Sequence, residues 1–80
     1  MTIIDKITHL VSWVANVPTD NISISTHIQE DLNVDSIDFM LFIVRMEKLF
    51  DVNLSSEEVE MIETVQDARD CVSRKLILVR

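Results

Sequence analysis

Apolar residues recur at helical spacing through most of this 80-residue chain, and the short alternation at residues 22–25 is not extended into a strand pattern. The first apolar segment predicts a helix over about Ile3–Ala15. A later one predicts a strongly apolar helix over about Ser36–Phe50. Four residues of the latter follow helical spacing and predict its buried face. They are Ile37, Met40, Val44 and Phe50.

The connection between these two helices runs from about Val17 to Asp35 and is rich in Thr, Asn, Ser and Asp. Apolar residues are nevertheless spread along it, and a disordered linker would lack them. They are Ile22, Ile24, Ile28 and Leu32. The spacing indicates a long loop that is held against the core.

Two shorter helices are predicted in the second half of the chain. Ser55 begins a capping-box pattern for a short third helix that ends near Ile62. Thr64 opens a fourth helix, whose apolar side includes the only cysteine, Cys71. We therefore expect one domain, residues 1–80, with an all-α fold: a small antiparallel four-helix bundle with a long loop between its first two helices and a short third helix.

The chain contains no glycine, the residue that most often ends helices in the left-handed conformation. Asparagine can replace it there at modest cost. We therefore expect left-handed asparagines at Asn16, Asn33 and Asn53, where elements are predicted to end. Trp13 lies among the apolar positions of the first helix and is expected in the core, as is Cys71.

The charge of the chain is concentrated in one segment. Fourteen acidic and seven basic side chains give a net charge of −7, and residues 30–63 alone carry −8 because only Arg45 and Lys48 offset ten acids there. Such a surface repels nucleic acid and anionic membranes and attracts basic patches on proteins. The longest apolar run, residues 39–44, is too short to span a membrane, and no signal-peptide pattern is present. We expect a cytoplasmic protein.

Catalytic and metal-binding patterns are not indicated. One cysteine and the two isolated histidines, His9 and His27, do not provide the ligand spacing of a metal site. A serine hydrolase would need a G-x-S-x-G turn, which a chain without glycine cannot form. The sequence therefore favours a non-enzymatic protein without a resident metal.

The motif Asp35-Ser36-Ile37-Asp38 places one hydroxyl between two carboxylates, where the long loop becomes the apolar second helix. Ser36 falls in the first turn of this helix, so we expect its Oγ to face solvent. Asp35 is a good N-cap, and Asp38, three residues later, fits the acceptor of a capping box. The same four residues thus describe both a modifiable serine and an ordinary helix start.

The order of the helices and several short blocks together resemble the acyl carrier proteins. The blocks lie in register between Glu30 and Val72 and read E-D-L-N-V-D-S-I-D, M-E-K-L-F-D-V and E-T-V-Q-D-A-R-D. Ser36 stands fourteen residues before Phe50, and Phe50 fourteen before Thr64. This spacing is similar to that of free-standing bacterial carriers.

The resemblance implies that Ser36 is the attachment site of 4′-phosphopantetheine, transferred from coenzyme A by a phosphopantetheinyl transferase. It implies a monomer that holds acyl groups as thioesters and delivers them to enzymes of fatty-acid or specialised lipid or polyketide biosynthesis. The implied partners are acyl-loading, condensing and acyl-transfer enzymes with basic docking patches. The implied docking residues are Asp35, Ile37, Asp38, Leu41 and Glu47.

The chain also departs from the family pattern. Members often have glycine where Asn33 stands and leucine where Ile37 stands, and the outward face of their second helix is acidic or small where this chain has Leu41, Arg45 and Lys48. The second helix is apolar nearly all round, which suggests a dedicated partner surface that is less electrostatic than usual.

Three alternatives remain open at this level. Phe39, Phe42 and Met46 would also make the second helix apolar if they only filled the core. The chain would also suit an aminoacyl or peptidyl carrier, although the loop before Ser36 lacks the glycine-rich turn usual in those domains. A carrier-like interaction domain that stays unmodified is the third possibility.

Overall fold

The computed structural model describes residues 2–78, which form five α-helices and one short 3-10 helix. None of the helices within these residues is long and apolar enough to cross a membrane. The elements in chain order are α1 (Ile3–Ala15), the 3-10 helix (Thr19–Asn21), α2 (Ile28–Leu32), α3 (Ser36–Phe50), α4 (Ser56–Glu60) and α5 (Val65–Leu78).

The observed helices confirm the all-α bundle and refine it in the loop regions. Both long helices of the first half, α1 and α3, have the predicted bounds, and α4 ends at Glu60, two residues earlier than expected. The long connection contains α2, so the described chain has five α-helices where the sequence predicted four. The helix α5 reaches Leu78, and the last two residues of the predicted tail, 79 and 80, lie outside the described residues.

Local side-chain caps explain where the helices begin. Capping boxes precede α1, with Thr2 and Asp5, and α4, with Ser55 and Glu58. Each box satisfies two backbone N–H groups that have no partner inside the helix. Asp35 caps α3, since its carboxylate accepts a hydrogen bond from the N–H of Asp38.

Three non-glycine residues end helices in the left-handed conformation. Asn16 ends α1 with φ of 57° and Asn33 ends α2 with φ of 56°, as the sequence predicted. The third is Asp51, φ 55°, at the end of α3, so the expectation for Asn53 was wrong. Asp, like Asn, tolerates this conformation because its short polar side chain can bond locally.

One hydrophobic core joins α1, α2, α3, α5 and the segments before α3 and α5. The largest fully buried side chain is that of Phe42, and Cys71 is buried as expected. The cluster consists of Ile7, Val11, Ile28, Val34, Phe39, Phe42, Ile43, Met46, Ile62, Val65, Ala68, Cys71 and Val72. No described residue of α4 is fully buried, so this helix lies on the rim of the core.

Several apolar residues expected inside lie at the surface. Trp13 is 59% exposed, and Ile37, at 80%, is more exposed still, while Met40 and Val44 are exposed beside it. The buried face of α3 is instead formed by Phe39, Phe42, Ile43 and Met46. The prediction failed because α3 offers two apolar rows, and the row with both phenylalanines fills the core. The alternative that Phe39, Phe42 and Met46 are core residues is thus confirmed.

The long connection is held to the start of α5 by backbone hydrogen bonds. The N–H of Ile28 donates to the carbonyl of Glu63 at 2.9 Å, and the N–H of Val65 donates to the carbonyl of Thr26 at 3.1 Å. Ile28 is buried, whereas Ile24, expected to face the core, is exposed. These bonds fix α2 beside the segment that joins α4 and α5, next to the N-terminus of α3.

Candidate functional site

Ser36 is the first residue of α3 and is exposed, as its place in the sequence predicted. The Asp35 Oδ1 atom accepts a hydrogen bond from the N–H of Asp38 at 2.8 Å, and the Asp35 carbonyl accepts one from Phe39 at 2.9 Å. No return bond from the Asp35 N–H to the Asp38 carboxylate is found within residues 2–78, so the expected capping box is only half formed. Asp38 is exposed, and its carboxylate has no hydrogen-bond or ion-pair partner among residues 2–78.

The first turn of α3 can accommodate a phosphate ester on Ser36. The backbone N–H groups of Ser36 and Ile37 have no acceptor within the described part of the chain. Such N–H groups, together with the positive end of the helix dipole, favour a negatively charged oxygen at this position. Ser36 is exposed and borders an open groove.

An apolar groove of about 360 Å³ begins at Ser36 and lies between α2, α3 and α4. Its apolar part is formed by Phe39, Met40, Val59 and Ile62, and its rim is polar. The rim residues are His27, Gln29, Glu60 and Glu63. A second groove of about 340 Å³ continues between α3 and α4 and shares Met40, Val59 and Glu60 with the first. The arrangement suits a linear apolar group held close to Ser36.

Four of the five docking residues implied by the sequence surround Ser36. Asp35 is the N-cap of α3, and Ile37, Asp38 and Leu41 lie in its first two turns; all four are exposed. Glu47 does not join them. It is half-buried three turns away, and its Oε2 atom accepts a hydrogen bond from the N–H of Leu54 at 2.8 Å, which holds the loop after α3 in place.

The sequence analysis missed further surface residues along α3. Met40 and Val44 were assigned to the buried face, yet both are exposed next to Ile37 and Leu41. Helical spacing could have placed them correctly. Met40, Leu41 and Val44 follow Ile37 by three, four and seven positions, so all of them lie on the same side of the helix as Ile37. The guanidinium of Arg45 lies over the exposed ring of Trp13, with 5.2 Å between Cζ and the ring centroid.

The titratable groups with clearly shifted pKa values lie on the side of α4 and α5. The hydrogen bond from Lys75 lowers the pKa of Glu58, and the bond donated by the Thr64 N–H lowers the pKa of Asp67. Burial raises the pKa of the Cys71 thiol, which disfavours its reactive thiolate form. These groups stabilise the fold and are not part of the surface around Ser36.

Comparison with known proteins identifies the class. Residues 5–72 match the family described as "Phosphopantetheine attachment site". The chain is therefore a phosphopantetheine-carrying protein by sequence, and the exposed serine at the N-terminus of α3 agrees with this class.

Several more specific relatives are acyl carrier proteins. The chain is 38% identical to the acyl carrier protein of Lactobacillus acidophilus over 82% of each chain, and 32% identical to that of Thermosynechococcus vestitus over 92% of this chain and 91% of the relative. The solved acyl carrier protein of Enterococcus faecalis superposes with a TM-score of 0.79 at 32% identity, covering 91% of this chain and 92% of the other. The chain belongs to the acyl carrier protein family, whose prosthetic group is covalently attached 4′-phosphopantetheine.

Proposed function

We propose that Ser36 is the residue that carries the 4′-phosphopantetheine arm, and that the loaded protein delivers acyl groups to enzymes of fatty-acid or specialised lipid or polyketide biosynthesis. The observation that carries this proposal is the position of Ser36: an exposed hydroxyl on the first residue of a fifteen-residue helix, beside an apolar groove. The protein performs no chemistry of its own and acts as the substrate of its partners.

Each residue at the site has a defined contribution. When attached, the arm supplies a terminal thiol that holds an acyl group as a thioester. Ser36 Oγ anchors the phosphate, and the free N–H groups of Ser36 and Ile37 favour its charge. The carboxylates of Asp35 and Asp38 attract basic residues of a partner enzyme. Met40 and Val59 provide an apolar surface that shields a short acyl chain from water.

The partners follow from this assignment. They are a phosphopantetheinyl transferase and acyl-loading, condensing and acyl-transfer enzymes with basic patches, since the segment of residues 30–63 has a net charge of −8. We further propose that residues 1–80 act as a single monomeric domain in the cytoplasm.

The first test is loading by a transferase. The purified protein is incubated with coenzyme A, magnesium and a broad-specificity phosphopantetheinyl transferase, and its intact mass is measured. We expect the mass of one arm on the wild type and none on Ser36→Ala. Because Ser36 is exposed, this substitution should change the free energy of unfolding by about 1 kcal/mol or less.

Ser56 provides a matched control, because it is also the exposed first residue of a helix, α4. Ser56→Ala should load like the wild type. Equal loading of Ser36→Ala and wild type, or no loading of either, would contradict the proposal. The intact mass of the protein from its own host then identifies the cargo and separates an acyl carrier from an aminoacyl or peptidyl carrier.

A further inference from the structure

A groove of about 330 Å³ lies between α1 and α3, on a different flank of α3 from the grooves beside Ser36. Leu10 and Trp13 of α1 and Leu49 of α3 form its apolar surface. The Trp13 ring is 59% exposed and the Leu49 side chain 49%, so the described chain leaves much of both uncovered. We call this surface the α1–α3 groove.

Two cations stand at opposite ends of the α1–α3 groove. The Lys6 ammonium lies 6.0 Å from the centroid of the Phe50 ring, and the Arg45 guanidinium carbon lies 5.2 Å from that of the Trp13 ring. Lys6 and Trp13 are seven residues apart on α1, so the two cations are about 10 Å apart along the helix. Neither cation takes part in an ion pair within residues 2–78. The ring contacts restrict both side chains and leave their N–H groups available to an acceptor.

The acids of the protein lie outside this groove. No acidic side chain lines it within the described residues, although the whole chain has a net charge of −7. Glu47 and Asp51, the two acids at this end of α3, line other grooves, towards α4 and the loop after α3. The Asp5 carboxylate, next to Lys6 in sequence, accepts a hydrogen bond from the N–H of Thr2 at the start of α1. The groove is therefore a small cationic surface on an acidic protein.

Shielding of Trp13 by Arg45 does not account for the whole arrangement. A guanidinium over an exposed ring covers part of it from water, and this alone would explain the contact between the two side chains. It does not explain Lys6 at the other end of the groove, nor the exposed Leu49. Apolar anchors in the centre with charged groups at the rim are the composition of a contact surface.

Charge complementarity decides what can cover the groove. Covering it removes water from around Lys6 and Arg45, which is unfavourable unless the occupant supplies carboxylates or other anions. Two cations are fewer than the about four to eight that a lipid-binding cluster uses. An anionic membrane or a nucleic acid would also extend beyond the groove and meet the acidic residues 30–63, whereas a short acidic protein segment contacts the groove alone. The protein segment therefore fits best.

We infer that the α1–α3 groove binds a short acidic amphipathic helix of another protein. A groove between two helices suits a third helix laid along it with its apolar side down. The apolar residues of the bound helix rest on Leu10, Trp13 and Leu49. Its carboxylates meet Lys6 and Arg45, so they stand seven positions apart, which spans about 10 Å of helix. The sequence pattern of the occupant is thus E-x-x-L-L-x-x-E, where Leu represents any large apolar residue.

Binding at this groove leaves the site at Ser36 uncovered. Arg45, the nearest member of the groove surface on α3, lies nine residues after Ser36, about 13 Å along the helix, and Leu49 lies about 20 Å along it. The inference therefore goes beyond the proposed function. It describes a protein that holds this chain while Ser36 remains accessible to the enzymes that act there.

Trp13 reports on the groove directly, because it is the only tryptophan of the chain. The probe is a synthetic peptide of about 16 residues with the pattern E-x-x-L-L-x-x-E, x being alanine or glutamine, long enough to be partly helical. Its dissociation constant is measured from the Trp13 fluorescence at low salt. One control peptide has the same composition in scrambled order, and another has Lys in place of Glu. Vesicles of phosphatidylglycerol test the lipid alternative.

The variants Lys6→Glu and Arg45→Glu are compared with Arg74→Glu, which changes the net charge equally. Arg74 is exposed on α5 and lines a different pocket, beside α4. We expect the acidic peptide to move the Trp13 emission to shorter wavelength. It should bind Lys6→Glu and Arg45→Glu about fivefold more weakly than wild type, and Arg74→Glu within about twofold of wild type. The Lys-substituted peptide should bind the double variant Lys6→Glu/Arg45→Glu more tightly than wild type, a gain that misfolding cannot produce.

Equal binding of the ordered and scrambled peptides, binding of vesicles but not of the acidic peptide, or no binding of any probe overturns the inference. Loading of Ser36 by the phosphopantetheinyl transferase is also measured with and without saturating peptide, and the two rates should agree. Loading that the peptide inhibits would overturn the separation of the two surfaces. Absence of loading without the peptide contradicts the proposed function alone and leaves the groove measurements valid.

Discussion

The residues around Ser36 show how one motif serves two purposes. Asp35 caps α3 through its carboxylate, whereas the Asp38 carboxylate accepts no bond from another residue between 2 and 78. The helix-start interpretation of the motif is therefore right for Asp35. It does not explain Asp38, whose side chain is free to meet a partner. The two acids have equal charge, but only loss of the Asp35 side chain would remove a helix cap.

The charge that the two acids share predicts the behaviour of Asp35→Asn and Asp38→Asn. Each should slow association with the phosphopantetheinyl transferase several-fold at low salt, because each removes a charge that attracts a basic partner. The effect should shrink as salt shortens the Debye length below about 8 Å. Stability should change little in Asp35→Asn, since asparagine caps helices about as well as aspartate. Association rates by stopped flow that do not change at low salt would mean that the carboxylates act only as caps.

Leu41 tests whether the exposed apolar row of α3 is a surface. Its side chain is 38% exposed, whereas that of Ile43, two positions on, is 2% exposed. Leu41→Glu should therefore cost less than about 1 kcal/mol, while Ile43→Glu buries an unpaired charge and should unfold so small a domain. Thermal unfolding measures both.

If Leu41 also contacts a dedicated partner, Leu41→Glu should weaken use by that enzyme and improve use by general fatty-acid enzymes. A large fall in the melting temperature of Leu41→Glu would instead show that Leu41 is needed for packing. That result would remove the argument for a specialised partner and leave the carrier assignment unaffected.

Among the elements, the start of α5 depends most clearly on charge. The Asp67 carboxylate accepts hydrogen bonds from the N–H groups of Glu63 and Thr64, each at 3.0 Å, and Thr64 Oγ1 accepts one from the Asp67 N–H at 3.1 Å. The bond from the Thr64 N–H is the main reason that the pKa of Asp67 lies below its usual value of 3.8. The ionised form is therefore favoured in the folded state.

The linked prediction concerns Asp67→Asn. An aspartate with a lowered folded-state pKa stabilises the fold above its unfolded value and loses that contribution as the pH falls through the folded value. Asp67→Asn should therefore be less stable than wild type by about 1 kcal/mol near neutral pH, the scale of a helix cap. The difference should disappear well below the usual value of 3.8. Urea titrations across this range measure it, and a pH-independent difference would assign the effect to shape rather than charge.

The elements whose signals are local could be predicted from the sequence. Ser55 and Glu58 form the predicted capping box, and Asn16 and Asn33 end helices, because these functions depend on residues a few positions away. The short helix α2 was missed, since five residues carry too little periodicity to separate a helix from a loop.

The buried side of α3 could not be predicted in this way. Ile37 and Phe39 are both apolar, and which of them enters the core depends on how α1 and α5 approach, which a single sequence does not state. The exposure of Trp13 could not be predicted either, because its ring is covered by Arg45, which belongs to another helix. The motif around Ser36 drew attention because several short blocks of the sequence lie in register around it; the four residues alone also describe an ordinary helix start.

At the scale of the molecule, the helices that form the core are packed more firmly than α4, which borders the groove beside Ser36. The fully buried residues come mainly from α1, α3 and α5, whereas α4 is held by the half-buried Val59 and by an ion pair. In that pair Lys75 Nζ lies 2.8 Å from Glu58 Oε1. One wall of the groove beside Ser36 is therefore its least firmly attached part. A groove with one weakly held wall can widen without unfolding the rest.

The last prediction follows from this imbalance and uses Lys75→Gln. Hydrogen exchange in the wild type should be faster at the amides of α4 (Ser56–Glu60) than at those in the middle of α3, because α4 opens locally while α3 opens only with the core. Lys75→Gln removes the ion pair and should speed exchange in α4 further, while the free energy of global unfolding changes little, as for other solvent-accessible pairs. Arg74→Gln, next to it in sequence but without an ion pair among residues 2–78, serves as the control. Equal protection of α4 and α3 in the wild type would show that the groove wall is part of the cooperative core, and the groove could then admit a chain only by its existing shape.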